Sequence, residues 1–596
     1  MSRKTSVFIL MVELLGGLKM TTHELVPAPL TYPIPEGITI ELTPTVGSAD
    51  HKPEKVALNA LADALNALGQ NHCQAWTINR VAASEQLSFD LTPLPGQPIS
   101  VKTAWDLTYA LRQQPQIRDA EPSFTIAQDD LYPGGQGQPA TATVAGLPRA
   151  GDIDPAWCSR LIEAQAAWEF PPRPAQLGFA TGRARGAGIC IAHPDSGFRR
   201  HTAIWADGAD QPARLRRDLE RDFVDDDLES EHIDGNHGLA TASVLMSGVP
   251  VGGPGITGIA PEVELVPLRV AERHPLIPIP VLLHSGMRRL RDAIYYAIQD
   301  EVACPVISIS LGWLAHRSLH AAVQEAERRN VIICAAAGNY VGFVVWPASY
   351  AEVIAVGGCT VERTPWWGSS RGRRVDISGP AQHVWRAVID EQQRPQIGPS
   401  DGTSFAAATV AGVAALWLAH HGRDFLLDRY AGQVTLSQVF RCLLVRTAEP
   451  FASPRVRGLG AGIVNARRLL AAPLPTPNEV QVTGPEPLTA ALPPRAGMLP
   501  QLSSVFDQLP ATALQRRIAT LTGVPAGEVE ERLAGLGDEL LFHLVTQPAL
   551  RSSFAPPLTA GGKPALPAAA PFIGDVAHEQ FVTLPDLSEN FRLQVQ

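Results

Sequence analysis

The chain has 596 residues, 45 % of them hydrophobic and 18 % charged. This is a globular composition, with fewer charges than the roughly 25 % average. Net charge is −10, which leaves no electrostatic footprint for a nucleic-acid partner.

Of the 49 basic residues only six are Lys, and none falls between Lys102 and Lys563. That stretch therefore holds no P-loop, Schiff-base lysine or Ser–Lys dyad. Residues 1–36 read as a Pro-containing lead. Arg3 and Lys4 precede an apolar run at 6–12, but Glu13 and Lys19 follow and no small-residue cleavage site does. This is a poor export signal, and the expectation is a cytoplasmic protein. Residues 37–128 alternate as strand 38–42, helix 54–68, strands 75–81 and 87–91, helix 102–113 and strand 117–126. The order βαββαβ is that of an α+β, ferredoxin-like unit. Residues 129–152, rich in Gly, Pro, Thr and Ala, form a linker.

From 153 to 472 apolar strands alternate with amphipathic helices, which predicts an α/β domain with a parallel sheet flanked by helices. Residues 473–510 are a Pro-rich linker. In 511–550, Leu514, Ile518 and Leu521 share one helical face, and Val529, Leu533, Leu536, Leu540 and Leu544 form a second stripe. These predict a mostly helical C-terminal extension, read as a small hairpin closing on itself. Residues 551–596 are a low-complexity tail. The longest apolar stretch, 410–419, falls short of the roughly 18 residues of a membrane span. The seven cysteines are odd in number, widely spaced and without a CxxC, against a disulfide framework or a zinc ribbon.

Four segments carry chemistry, each at a strand end or a helix start: Asp195-Ser196-Gly197, Asn236-His237-Gly238, Ala337-Gly338-Asn339 and Gly402-Thr403-Ser404. A serine hydroxyl is a weak nucleophile and needs a base within hydrogen-bond reach, itself oriented by an acid. Ser404, His237 and Asp195 supply those three types. Asn339 offers a side-chain amide for an oxyanion, and the Ser404 N–H, at a helix N-terminus, offers a second donor. The order Asp, His, Ser differs from those of the other two large triad classes, and Ser404 lacks the second Gly of a GxSxG elbow.

Taken together these segments resemble a subtilisin-like serine peptidase, a subtilase of the S8 family. Gly402-Thr403-Ser404-Phe405-Ala406-Ala407 is similar to the family's nucleophile segment. Residues 306–312 (VISISLG) and 335–339 (AAAGN) resemble its substrate-binding and oxyanion segments, and 460–466 (GAGIVNA) the end of its catalytic domain. The resemblance implies catalytic roles for Asp195, His237 and Ser404 and an oxyanion role for Asn339. It implies substrate binding by Ser310, Leu311, Gly312, Ala335, Ala336, Ala337 and Gly338. It implies a protein or peptide substrate and no cofactor for the chemistry. The first domain, ending in Ala120-Glu121-Pro122, resembles an inhibitor-I9-like propeptide, which would act as an intramolecular inhibitor.

This sequence departs from the family at His193-Pro194, where an apolar pair is usual, and at Leu239 and Ala408. Pro194, which lacks a donor, is expected to end its strand. The alternative is a catalytically silent scaffold of the same fold. Zinc at His232, Asp234 and His237 matches no common motif, and no metal is assigned to the site. Structural Ca²⁺ in the acidic stretch 218–234 is the one metal expectation, beside a plain solvated rim.

Overall fold

The computed structural model describes residues 34–43, 53–68, 76–81, 87–125, 154–172, 185–204, 214–248, 255–271, 286–483, 498–554 and 574–595, less 95, 234, 313, 340–342, 391, 454–455, 507–508, 548–549 and 551–553. The N-terminal lead before Ile34, on which the cytoplasmic expectation rests, lies outside them, as does the expected linker 129–152.

The N-terminal domain runs β1 (Ile34–Leu42), α1 (Pro53–Ala67), β2 (Trp76–Arg80), β3 (Ser88–Pro93), α2 (Val101–Arg112) and β4 (Ile117–Thr125). Its antiparallel sheet has the order β2-β3-β1-β4. α1 buries Ala57, Ala60, Leu61, Ala64 and Leu65, the three-and-four spacing that puts an apolar stripe on one face. Ser100 caps α2 by accepting from the Thr103 N–H at 3.0 Å.

The second domain begins with short helices α3 (Trp157–Leu161) and α4 (Ala164–Ala167). Its sheet strands are β5 (Cys190–Asp195), β6 (Arg221–Asp222), β7 (Glu264–Arg269), β8 (Val306–Ile309), β9 (Ile332–Ala336), β10 (Ile354–Cys359) and β11 (Ile377–Pro380). Their order is β11-β10-β9-β8-β5-β7-β6, and every pairing is parallel. Strands such as VISI and IICAA are buried along their whole length, as a sheet covered on both faces requires. Helices α5 (Asn236–Met246), α6 (Met287–Ala297), α7 (Arg317–Arg328) and α8 (Thr403–His421) supply that cover. An antiparallel ribbon, β12 (Val384–Ile389) and β13 (Pro395–Ser400), leads into α8. The fold class expected from the sequence is the one observed.

α8 is long and apolar enough to cross a membrane, but it is buried throughout as the core helix of this domain. One core, with α5 and α8, fills one face of the sheet. It extends to Val480, beyond the expected domain end at 472. The other core, on the α6–α7 face, continues into the N-terminal domain and the C-terminal helices.

Pro194 does not end its strand. β5 pairs with β7 as far as Asp195↔Arg269, whereas its pairing with β8 stops at Ala192. The Asp195 carbonyl accepts from Val270 N on the β7 side. By strand alternation Pro194 faces the β8 side, where the ladder has already stopped and no donor is required.

The N-terminal domain lies on α6 and α7. The Asp90 carboxylate accepts from both terminal nitrogens of Arg291, at 3.1 and 2.7 Å, and from Thr39 Oγ1 at 2.8 Å. Arg288 stands 3.4 Å away. Burial alone would push the Asp90 carboxyl up; the two guanidiniums outweigh it and hold it well below the usual carboxylate range. Glu36 sits on Gly286, the N-cap of α6, and Glu121 accepts from the Arg317 N–H that opens α7, at 2.7 Å. Glu36 thus meets the positive end of α6, and Glu121 takes the first free N–H of α7.

Burial pushes the Glu121 carboxyl up from 4.5 to about 8, against the pull of Arg317. Burial, then Arg291 and Arg288, push the adjacent His316 down from 6.5 to about 3. Docking therefore adds a proton at Glu121, whereas Arg291 and Arg288 belong to the same domain as His316 and lower its pKa whether or not the N-terminal domain is docked. Between about pH 4.5 and 8 docking thus weakens as pH rises, by at most about tenfold in dissociation constant per pH unit. Glu121→Gln is expected to flatten that window. Retention of the N-terminal domain by linker-nicked protein, followed against pH, checks it; equal slopes in the two proteins would contradict it.

The C-terminal segment is not a hairpin closed on itself. The second stripe is broken at Gly535, whose φ is +79°, into helices Val529–Arg532 and Gly537–Thr546. The tail adds helices Gly574–Val582 and Glu589–Val595. These pack against α2 and β4. Phe542 meets Trp105 and Phe124 with ring centroids 5.8 and 4.4 Å apart. The buried Glu539 carboxylate accepts from Tyr109 Oη (3.0 Å) and from the Ser588 N–H and hydroxyl (2.7 Å each). Glu589 N donates to Asp106 (2.7 Å), and Arg112 pairs with Asp538 (3.2 Å).

Candidate active site

Asp195 is the last residue of β5, at the carboxyl edge of the sheet. The strands added after β5 lie first on its β7 side and then on its β8 side. This is a topological switch point, where open α/β sheets place their ligand crevice. His237 is the second residue of α5 and Ser404 the second of α8. All three are buried, with 0, 8 and 4 % exposure. His237 Nδ1 lies 2.7 Å from Asp195 Oδ1, and its Nε2 lies 3.3 Å from Ser404 Oγ. The structure therefore brings together three residues that the sequence separates by 42 and 167 positions.

Two glycines permit that approach. A Cβ on Gly238 would lie 1.8 Å from the Gly197 carbonyl oxygen, and Gly197 itself has φ +82°. The turn after β5 and the start of α5 thus touch backbone to backbone, which only glycine allows. The Ser196 N–H donates to Asp195 Oδ1 at 2.7 Å, and Gly238 N donates to Ser196 Oγ at 3.2 Å. These fix the carboxylate against the helix that carries His237.

Asn339 follows β9 and is oriented by Thr403. Its Oδ1 accepts from the Thr403 N–H (2.9 Å) and hydroxyl (2.8 Å). With its oxygen so held, the amide nitrogen faces away from Thr403. The Thr403 oxygen also accepts from Gly338 N at 3.3 Å. Sequence reasoning quoted Thr403 as part of a motif but missed this orienting role; a hydroxyl one residue before the nucleophile, at a helix start, was the available signal.

Ser310, Leu311 and Gly312 follow β8, and Ala335, Ala336, Ala337 and Gly338 end or follow β9. Ser310, Leu311 and the three alanines are all under 5 % exposed and uncharged. Ser310 Oγ donates to the Ser404 carbonyl at 3.1 Å, tying this segment to the start of α8. Pro122 and Phe124 of β4 line a small cavity with Leu314, Ala315 and His316. The end of the N-terminal domain thus lies beside the residues that follow Ser310–Gly312 in the chain.

The acidic stretch is engaged by arginines. Arg216 holds Asp218, Arg217 holds Glu220, Arg221 holds Asp226, and Arg269 holds Asp222 and Asp225. Among the described residues no three His, Cys, Asp or Glu side chains converge to hold a metal. Among the described residues the structure thus shows no carboxylate cluster for the expected Ca²⁺, and Asp234 lies outside them. Cys158, Cys190, Cys304, Cys334, Cys359 and Cys442 are free thiols.

Residues 186–466 match the subtilase family (Peptidase S8). The chain is 31 % identical over 221 residues to the thermophilic serine proteinase of Bacillus sp., covering 37 % of this chain and 51 % of that protein. It is 27 % identical over 357 residues to mycosin-1 of Mycobacterium tuberculosis, covering 50 % of this chain and 74 % of that protein. It therefore spans about half the length of the first relative and about three quarters of the second. The structure of MycP1 from Mycobacterium smegmatis is 21 % identical, covers 56 % of this chain and 87 % of that one, and has a TM-score of 0.40. With the sheet, the order of the motifs and the profile match in agreement, residues 186–466 of this chain are a domain of the subtilase family of serine peptidases.

Proposed function

We propose that this chain is a serine endopeptidase that hydrolyses peptide bonds of a protein or peptide substrate through an acyl-enzyme, and that it is made as a self-inhibited precursor. The observation that carries the reading is the continuous contact from Asp195 through His237 to Ser404. Ser404 Oγ attacks the scissile carbonyl. His237 Nε2 takes its proton and later gives it to the leaving amine, while Asp195 holds Nδ1 and stabilises the imidazolium. The tetrahedral oxyanion is held by the Asn339 amide and the Ser404 N–H. The uncharged segments 310–312 and 335–338 fit an apolar or small residue before the scissile bond. No metal or cofactor is needed for these steps.

The self-inhibition reading rests on the position of β4. It runs past the N-terminus of α7 towards the substrate segment, and the salt-bridged Asp90 secures the domain behind it.

Hydrolysis of a fluorogenic peptide by purified protein, abolished by a serine-directed phosphonate and indifferent to chelator, tests the reaction class. Within it, Asn339→Leu is expected to lower kcat by about 10²–10³ with KM little changed, because the donor acts on charge that develops only in the transition state. Loss in KM alone would assign Asn339 to ground-state binding instead.

A further inference from the structure

The residue two before the triad aspartate is an imidazole. His193 and Asp195 share β5 two positions apart, so their side chains emerge on the same face of the sheet, and His193 is 2 % exposed. Its Nε2 lies 2.9 Å from Thr241 Oγ1 on α5, and that hydroxyl lies 3.3 Å from Asp195 Oδ2. His193 Nε2 is itself 3.8 Å from the same oxygen. His237 holds the other oxygen, Oδ1. The triad carboxylate thus stands between two imidazoles.

We propose that His193 is a positioning residue of the triad, acting through Thr241 on Asp195 Oδ2. The inference rests on the reading of Asp195, His237 and Ser404 as a working triad. His193 Nε2–H donates to the Thr241 oxygen. The Thr241 hydroxyl has one proton and three acceptors in reach: Asp195 Oδ2, and the carbonyls of His237 (3.1 Å) and Gly238 (3.2 Å). An ionised carboxylate is the strongest of these, so the proton goes to Asp195. The pair holds the carboxylate in the rotamer that presents Oδ1 to His237.

His193 suits this task only while neutral. Burial pushes its pKa down, Asp195 opposes that, and His237 adds to it. Among the described residues the ionisable groups that act on it are those two, one on its own strand and one on α5; opposite it on β7 stands Pro267. It therefore donates a hydrogen bond without placing a second cation beside the His237 imidazolium.

The test compares wild type with His193→Val, His193→Gln and Thr241→Val in the full chain. It reads kcat and KM on a peptide substrate, and the titration of the His237 ring by NMR of histidine-labelled protein. His193→Val is expected to lower kcat about three- to tenfold, the rate equivalent of one net hydrogen bond, with KM within about twofold. It should also move the His237 titration to higher pH, because the Thr241 hydroxyl, no longer held and polarised by His193, donates more weakly to Asp195, whose carboxylate then attracts the imidazolium more strongly. His193→Gln, which keeps an N–H at similar reach, should recover most of both. Thr241→Val, which removes the direct donor to Asp195, should lower kcat and shift the His237 titration at least as much as His193→Val, and it carries the test if that variant misfolds. A His237 titration that stays in place in folded His193→Val, or equal losses in the Val and Gln variants, would overturn the proposal. Wild type without turnover would instead defeat the triad reading, and the ring titration would still judge His193.

Discussion

Replacing Ser404 with alanine is expected to reduce turnover by about 10⁶-fold, the order of loss seen when the nucleophile of a subtilisin-type triad is removed. The size follows from the geometry. Ser404 Oγ is the atom that bonds to substrate, and His237 and Asp195 act only through it, at 3.3 and then 2.7 Å. Once Oγ is gone, His237→Ala added to Ser404→Ala should lose almost nothing more, since members of one relay are not additive. The Ser404 side chain is small and makes few contacts besides His237 and the Ser310 carbonyl at 3.4 Å. Folding should therefore survive, and the melting temperature should stay within a few degrees. Steady-state kinetics beside a thermal melt separate the two effects. A Ser404→Ala protein that keeps more than a few per cent of wild-type turnover would exclude the assignment.

The second large effect concerns the N-terminal domain. In Ser404→Ala protein nicked at a protease site engineered into residues 129–152, that domain is expected to stay bound to the rest of the chain. Asp90→Ala in the same background is expected to weaken its binding by about 10²–10⁴-fold. Asp90 meets Arg291, which is 1 % exposed, and breaking a buried pair leaves an uncompensated charge worth about 3–5 kcal/mol. Arg291 keeps a second partner in Asp292, at 2.7 Å, so the lower end of that range is the better expectation. The domain is also held by Phe542 against Trp105 and Phe124 and by Glu539 against Tyr109. Phe542→Ala should therefore also loosen the nicked domain, and the two losses should add, because the two contacts share no partner. Size-exclusion chromatography and native mass spectrometry of the nicked proteins read the outcome. Free dissociation of the domain from the nicked Ser404→Ala protein would show that neither contact holds it.

The site was legible because its chemistry sits at places the local sequence marks. Asp195 ends a strand, Asn339 follows one and Ser404 opens a helix, and glycines stand near each. The four segments could be found without knowing how they meet. β7 was not legible: Glu264–Arg269 reads ELVPLR, with charged ends and an internal proline, and only its neighbours β5 and β6 make it a strand. Pro194 misled for a related reason. The rule that proline ends a strand holds where a ladder needs its donor, and here the β8 ladder had already stopped. The C-terminal stripe was read correctly as apolar, but its partner was not. Tyr109 and Glu539 are 430 positions apart, and no pattern of local spacing reports a contact of that range. The same holds for Asp90 and Arg291, 201 positions apart. His193 stood out as a departure from the family, and its bearing on Asp195 became visible only when α5 brought Thr241 between them.

The measurement that tests the central claim most directly is intact mass after exposure to a fluorophosphonate, made on wild type, Asp90→Ala and Ser404→Ala. The account predicts one adduct on wild type, faster labelling of Asp90→Ala as its N-terminal domain loosens, and none on Ser404→Ala. Absence of an adduct from Asp90→Ala, with the fold intact, would contradict a working nucleophile at Ser404 and leave a silent scaffold.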